Sequence, residues 1–149
     1  NYLFRNKMKN IIKKQTSKII LFIAGLFILA SCGKENKIPM GYVNFTIEPN
    51  SSMYSNLNNV GGYEYFIGGY KGVLVFRTGI NDFVAFERAC PFDHEVAVEV
   101  NKNNSNIIEC PQCGSQFIYI YGDIIKGPAT TPLRQYNTSY NGTYLHIFN

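Results

Sequence analysis

The sequence predicts an all-β protein, a small antiparallel sandwich or barrel, and three observations predict it. From Tyr42 onward, short apolar or alternating runs are separated by turn residues at intervals of roughly ten, the spacing of successive short strands. No long helical period interrupts them. Near the C-terminus, Asn141-Gly142 lies between two runs of strand-forming residues and is the preferred pair for a two-residue type I′ hairpin turn. With 149 residues, 46% hydrophobic and 15% aromatic, the chain has material for one domain with a real core.

The individual elements follow from local pattern. Val43, Phe45 and Ile47 alternate with Asn44 and Thr46, as a half-buried strand requires. Val73 to Phe76 and Phe83 to Phe86 are continuous apolar runs, which predicts strands covered on both faces. Gly68-Gly69, Gly79 with Asn81-Asp82, and Asn101 to Asn104 supply the reversals between them. The last hairpin joins Tyr136 to Tyr140 with Thr143 to Phe148, placing Leu145 and Ile147 on one face and Tyr144, His146 and Phe148 on the other. His146 is thereby a strand-surface residue. The eleven tyrosines suit half-buried strands, with rings that pack and hydroxyls at the surface.

The charge is unevenly placed. Six of the fourteen basic residues precede Cys32 and all ten acidic residues follow it, so the part after Cys32 carries eight basic against ten acidic residues. A nucleic-acid partner therefore has no electrostatic footprint. Residues 1–31 read as an export signal: a basic stretch to Lys18, an apolar run from Ile19 to Ala30, then Leu29-Ala30-Ser31-Cys32. Met8-Lys9 reads as the true start, which puts residues 1–7 upstream of it. Small residues before a cysteine at the end of an apolar run resemble the lipobox of bacterial lipoproteins. That resemblance implies lipidation of Cys32, a membrane held through the lipid anchor, and a place in the bacterial cell envelope, on the periplasmic side or the cell surface. Residues 32–41 are then the lipidated cysteine and a polar tether, and residues 42–149 the folded domain.

With Cys32 committed to lipid, Cys90, Cys110 and Cys113 remain. One disulfide leaves a thiol over, whereas a four-coordinate metal uses all three and one more ligand, for which His94 is the nearby candidate. The loops read Cys90-Pro91-Phe92-Asp93-His94 and Cys110-Pro111-Gln112-Cys113-Gly114. Soft ligands on two adjacent hairpins build a tetrahedral site, so the sulfurs are expected within about 4 Å of one another. A thioredoxin-like dithiol at Cys110 and Cys113 lacks its helix, since strand-turn-strand surrounds it.

Here "AFERACPFDH", "IIECPQCGSQF" and "YGDIIKGPATTPLRQY" resemble the Rieske iron-sulfur domain over about residues 42–149. The resemblance implies a Rieske-type sandwich with two cysteine loops, a third Gly-Pro loop closing over the cluster, and electron transfer by a 2Fe-2S centre to a redox or envelope protein partner. Cys90, Cys110, Gly114, Ser115, Gly127 and Pro128 match the family pattern, and Ser115 beside the second loop reads either as a hydrogen-bond donor to a cluster sulfur or as an ordinary turn residue. The two histidine positions do not match: Phe92 stands at the first and Cys113 at the second. His94 lies two residues beyond the first, with Asp93 as a carboxylate substitute.

Three readings stay open for this site. Cys90, His94, Cys110 and Cys113 hold a modified 2Fe-2S cluster, the same four hold zinc, or no metal is bound and two cysteines form a disulfide. Iron-sulfur proteins that fold before export use a twin-arginine signal, and Lys13-Lys14 stands here instead of an arginine pair, which favours zinc or a disulfide, whereas the family resemblance favours a cluster. No catalytic residues and no small-molecule substrate are evident, which points to an electron-transfer component or a non-redox structural module and not to an enzyme.

Overall fold

The structure is a computed structural model that describes residues 38–149. Cys32, the segment expected to be an export signal and the start of the expected tether lie outside the described residues. Two antiparallel sheets make up the domain. The larger has the order β1-β10-β9-β4-β3-β2, formed by Asn44–Ile47 (β1), Tyr63–Phe66 (β2), Val73–Arg77 (β3), Phe83–Glu87 (β4), Gln135–Tyr140 (β9) and Leu145–Phe148 (β10). The smaller runs β5-β6-β7-β8, formed by Glu99–Val100, Ile107–Glu109, Gln116–Ile118 and Ile124–Lys126. Short 3₁₀ turns across Ser52–Asn58, interrupted by a kink at Tyr54, connect β1 to β2. Among the described residues no helix is long and apolar enough to cross a membrane.

The all-β expectation holds, and the continuous runs are buried for a definite reason. Every residue of β3 is buried because its two faces serve two different cores. Leu74 and Phe76 point into one, with Phe86, Val98, Val100, Ile108, Phe117 and Leu133. Val73 and Val75 point into the other, with Val43, Leu57, Phe83, Ala85, Leu145 and Ile147. Side chains alternate across a strand, so a strand between two cores must be apolar at successive positions. β4 repeats the arrangement, with Phe83 and Ala85 on one side and Phe86 on the other. The first core contains Cys90 and Cys110 and is where the cysteine loops are rooted.

The terminal hairpin is present with Leu145 and Ile147 buried, but its turn is not type I′. Tyr140 pairs with Leu145, which leaves a four-residue loop. A type I′ turn needs positive φ at both central residues, and only Gly142 has it, at 96°. Asn141 instead uses its side chain, its Oδ1 accepting from the N–H groups of Thr143 at 3.0 Å and Tyr144 at 2.7 Å. This is the local backbone capture that asparagine offers in turns. His146, half-buried, stacks on Phe148 and hydrogen-bonds Asn44 at 2.8 Å. Upstream, Arg134 donates to the carbonyls of Ile38 at 2.6 Å and Pro39 at 2.9 Å, so the chain is already held where the tether was expected to run.

One buried carboxylate organises the approach to the cysteines. Glu87, the last residue of β4, is fully buried. Its Oε1 accepts from the N–H groups of Lys71 and Ala89, each at 2.9 Å, and its Oε2 from Tyr70 N–H at 2.6 Å and the Tyr136 hydroxyl at 2.7 Å. The turn before β3 thus meets the start of the first cysteine loop and β9 at one side chain. Gly69, at φ 62°, has to be glycine, since a Cβ there would lie 2.4 Å from both Glu87 Oε2 and the Tyr136 hydroxyl.

Burial and the Glu87 carboxylate raise the Tyr136 hydroxyl pKa well above its ordinary 10.0. Above about pH 10 the unfolded chain loses this proton while the folded one keeps it, so the contribution of Tyr136 to stability is complete below that pH and falls as pH rises. Tyr136→Phe is expected to cost about 1 kcal/mol at neutral pH, where Glu87 loses one donor. The gap from wild type should narrow at strongly alkaline pH, as urea unfolding at pH 7 and above pH 10 will measure.

Candidate metal centre

The first cysteine loop leaves β4 and closes on itself as a small hairpin. Cys90 N–H donates to Val96 O at 2.9 Å, Val98 N–H to Arg88 O at 2.6 Å, and Ala89 bridges Ala97. The loop is braced from outside by Glu95, which pairs with Lys71 at 2.7 Å and accepts from the Tyr70 hydroxyl. Arg88 stacks its guanidinium on the Tyr65 ring, 4.2 Å from the centroid, and donates to Val98 O at 3.1 Å. These contacts fix Cys90, which is fully buried, while Phe92 at the loop tip is 55% exposed.

The second loop joins β6 to β7. Cys110 N–H donates to Ser115 O and Gly114 N–H to Cys110 O, both at 2.9 Å. Gly114 has φ 72° with open space around a notional Cβ, so backbone conformation and not crowding calls for glycine. Cys110 and Ser115 are buried and Cys113 is partly exposed. The third loop, with Gly127 and Pro128, is tied to the second at one point: Ala129 N–H donates to Ser115 Oγ at 2.9 Å. Ser115 Oγ therefore has its own hydrogen free for Cys113 Sγ, 3.1 Å away.

Cys90, Cys110 and Cys113 converge, with their sulfurs all within 4.8 Å of one another and the Cys90–Cys113 pair at 3.7 Å. The trio is slightly wider than the 4 Å expected from the sequence. His94 and Asp93 add no ligand atom to it. The imidazole Nε2 of His94 donates to Pro91 O at 2.9 Å, folding the side chain back on its own loop, and Asp93 contributes only its N–H, to Cys90 Sγ at 3.4 Å. Ser115, singled out from the sequence beside the second loop, contacts the cysteine that stands at the histidine position.

The thiols differ in their surroundings. Burial pushes the Cys90 thiol from 9.0 up to about 12, only partly offset by N–H groups of Asp93 and Phe92. Burial also works against a Cys113 thiolate, but the Ser115 hydroxyl and N–H, with the Cys110 and Cys90 thiols, outweigh it and hold that thiol below its ordinary value. Ser115→Ala removes the hydroxyl, so the Cys113 thiol should titrate higher. In metal-free protein at pH 7 its alkylation by iodoacetamide should slow by about threefold to tenfold, checked by rate measurements across pH.

The fold and site define a β-domain whose paired loops present clustered soft ligands. The family model for the Rieske [2Fe-2S] domain matches residues 55–137, more than half of the chain, and the protein belongs to that family. Among solved structures, the plasma membrane Rieske protein PetC3 of the cyanobacterium Synechocystis PCC 6803 is similar at 26% identity. That match covers 52% of this chain and 77% of that one, with a TM-score of 0.47. The ferredoxin of carbazole 1,9a-dioxygenase from Nocardioides aromaticivorans IC177 is similar at 22% identity over 60% of this chain and 86% of that one, with a TM-score of 0.44. No curated protein sequence matches.

The residues present do not fit the two-imidazole cluster of the family. Phe92 offers no donor atom, Cys113 replaces the second imidazole, and His94 is occupied at Pro91 O. They do fit a soft metal centre bound by thiolates. Sulfurs around one tetrahedral ion with metal–sulfur bonds of about 2.3 Å sit about 3.8 Å apart, close to the Cys90–Cys113 separation.

Proposed function

We propose that this protein is an envelope-anchored Rieske-family domain in which Cys90, Cys110 and Cys113 hold an iron-based redox centre that exchanges electrons with a protein partner. The convergence of the three sulfurs within 4.8 Å, in a domain of iron-sulfur ancestry, carries the reading. Thiolates are the ligands that select iron-sulfur centres, and a partly exposed Cys113 brings the site to the surface where electrons pass. Anchoring rests on the basic and apolar residues before Cys32 and on the small residues beside it. Incorporation of labelled palmitate that disappears in Cys32→Ala tests this part separately.

The 3.7 Å separation of Cys90 and Cys113 favours a second reading, a single zinc ion that staples the loops without redox chemistry. Metal analysis and visible absorption of the purified protein separate the two. Iron with a thiolate charge-transfer band, bleached by dithionite, is the expected result, and acid-labile sulfide would identify a cluster. Zinc alone, with a colourless protein, would overturn the redox proposal.

A further inference from the structure

The same loops support a reaction that needs no metal. Cys90 and Cys113 come from different loops, 23 residues apart, yet their sulfurs are 3.7 Å from each other. A disulfide needs about 2.05 Å, so the gap to close is about 1.7 Å, within reach of side-chain rotation. The pair is also unequal. Cys90 is fully buried, and Cys113 is the one thiol of the trio with surface exposure. Behind Cys90 the first loop is fixed by Glu87 through Ala89 N–H and by the pairing of Cys90 with Val96. Behind Cys113 the second loop is fixed through Ser115 to Ala129. Both sulfurs are therefore held facing each other by contacts that do not involve the thiols.

We propose that the metal-free protein is a dithiol whose Cys113 reacts first, as the nucleophile, and whose Cys90 resolves, giving a Cys90–Cys113 disulfide that staples the two loops, with Cys110 left as a free thiol. The oxidant is an external disulfide. In the first step Cys113 sulfur bonds to one sulfur of the reagent, the reagent's S–S bond breaks, and one thiol leaves with the proton lost by Cys113. In the second step Cys90 sulfur bonds to Cys113 sulfur, the mixed disulfide breaks, and a second thiol leaves with the proton of Cys90. The two cysteines are oxidised and one reagent disulfide is reduced to two thiols. Burial of Cys90 excludes bulky reagents from it and makes the order of reaction one-way. The proposal concerns the protein without metal, so it stands apart from the identity of any metal bound by the reduced site.

The test exposes the full chain, reduced and freed of metal by a chelator, to oxidised glutathione. Tandem mass spectrometry of the unreduced digest then locates the link, after free thiols have been alkylated. The expected product joins Cys90 to Cys113, carries no glutathione on either of these two residues, and has Cys110 alkylated. Cys110→Ser should keep the link. Cys90→Ser should stop at glutathione on Cys113, and Cys113→Ser should lower total glutathione uptake at the site by about tenfold, since only buried thiols remain. A wild-type link between Cys110 and Cys113, or wild-type protein that accumulates stable glutathione on Cys113, would overturn the proposal. The wild-type map decides the outcome even where a variant folds poorly. Metal content of the reduced wild type, measured in parallel, reports separately on the metal site.

Discussion

Glu87→Leu should leave little folded protein. The substitution keeps approximate volume but removes the acceptor for three backbone N–H groups and the Tyr136 hydroxyl, all at a fully buried position. Each stranded donor costs about 1–3 kcal/mol, so a loss of about 4 kcal/mol or more is expected, against a total stability of about 5–15 kcal/mol for a domain. Glu87→Gln retains an acceptor oxygen but turns an amide N–H₂ toward donors, and should cost about 2 kcal/mol. Urea unfolding monitored by tyrosine fluorescence measures both. A Leu variant within 1 kcal/mol of wild type would show that water or relaxed backbone satisfies these groups.

Cys110→Ser should have the largest effect on the site. Cys110 is buried, anchored through its N–H to Ser115 O, and one of three thiolates available to a metal. A hydroxyl is a hard and weakly acidic ligand, and two remaining sulfurs are too few for a stable soft-metal site. Even the loss of an outer-shell partner costs about tenfold to a hundredfold in affinity, so removal of a ligand should lower metal affinity by more than about a hundredfold. Metal analysis after desalting checks this. His94→Ala serves as the contrast, because His94 folds onto Pro91 O and adds no atom to the trio, and should keep its metal. Metal lost equally in both variants would place His94 in the centre after all.

The sequence carried the strands and the cysteine loops for a shared reason: both depend on near neighbours. Continuous apolar runs at Val73 to Phe76 and Phe83 to Phe86 read as two-sided burial, and β3 and β4 do lie between two cores. The same holds for the Cys110 to Gly114 loop, where a glycine follows the second cysteine and φ there is positive. Elements set by distant partners were not legible. Glu87 closes an otherwise apolar strand, the one local sign of its importance, yet its partners lie up to 49 residues away. Gly68-Gly69 read as an ordinary reversal, although Gly69 is fixed by the space that Glu87 and Tyr136 occupy. The Asn141-Gly142 pair located the hairpin but not its turn, since the asparagine side chain can replace a backbone acceptor. For His94, spacing placed the ring near the sulfurs, and the loop's own carbonyl at Pro91 was the competing partner.

The double-sided burial of β3 bears on how this domain could be taken apart. A cysteine-bearing lobe made of β5 to β8 and its loops has no floor of its own, because Leu74, Phe76 and Phe86 supply it from strands that also roof the opposite core. Grafting that lobe onto another scaffold would carry the ligands but leave their packing behind. The cysteine loops are in this sense not a detachable module, because the strands that pack beneath them belong equally to the opposite core.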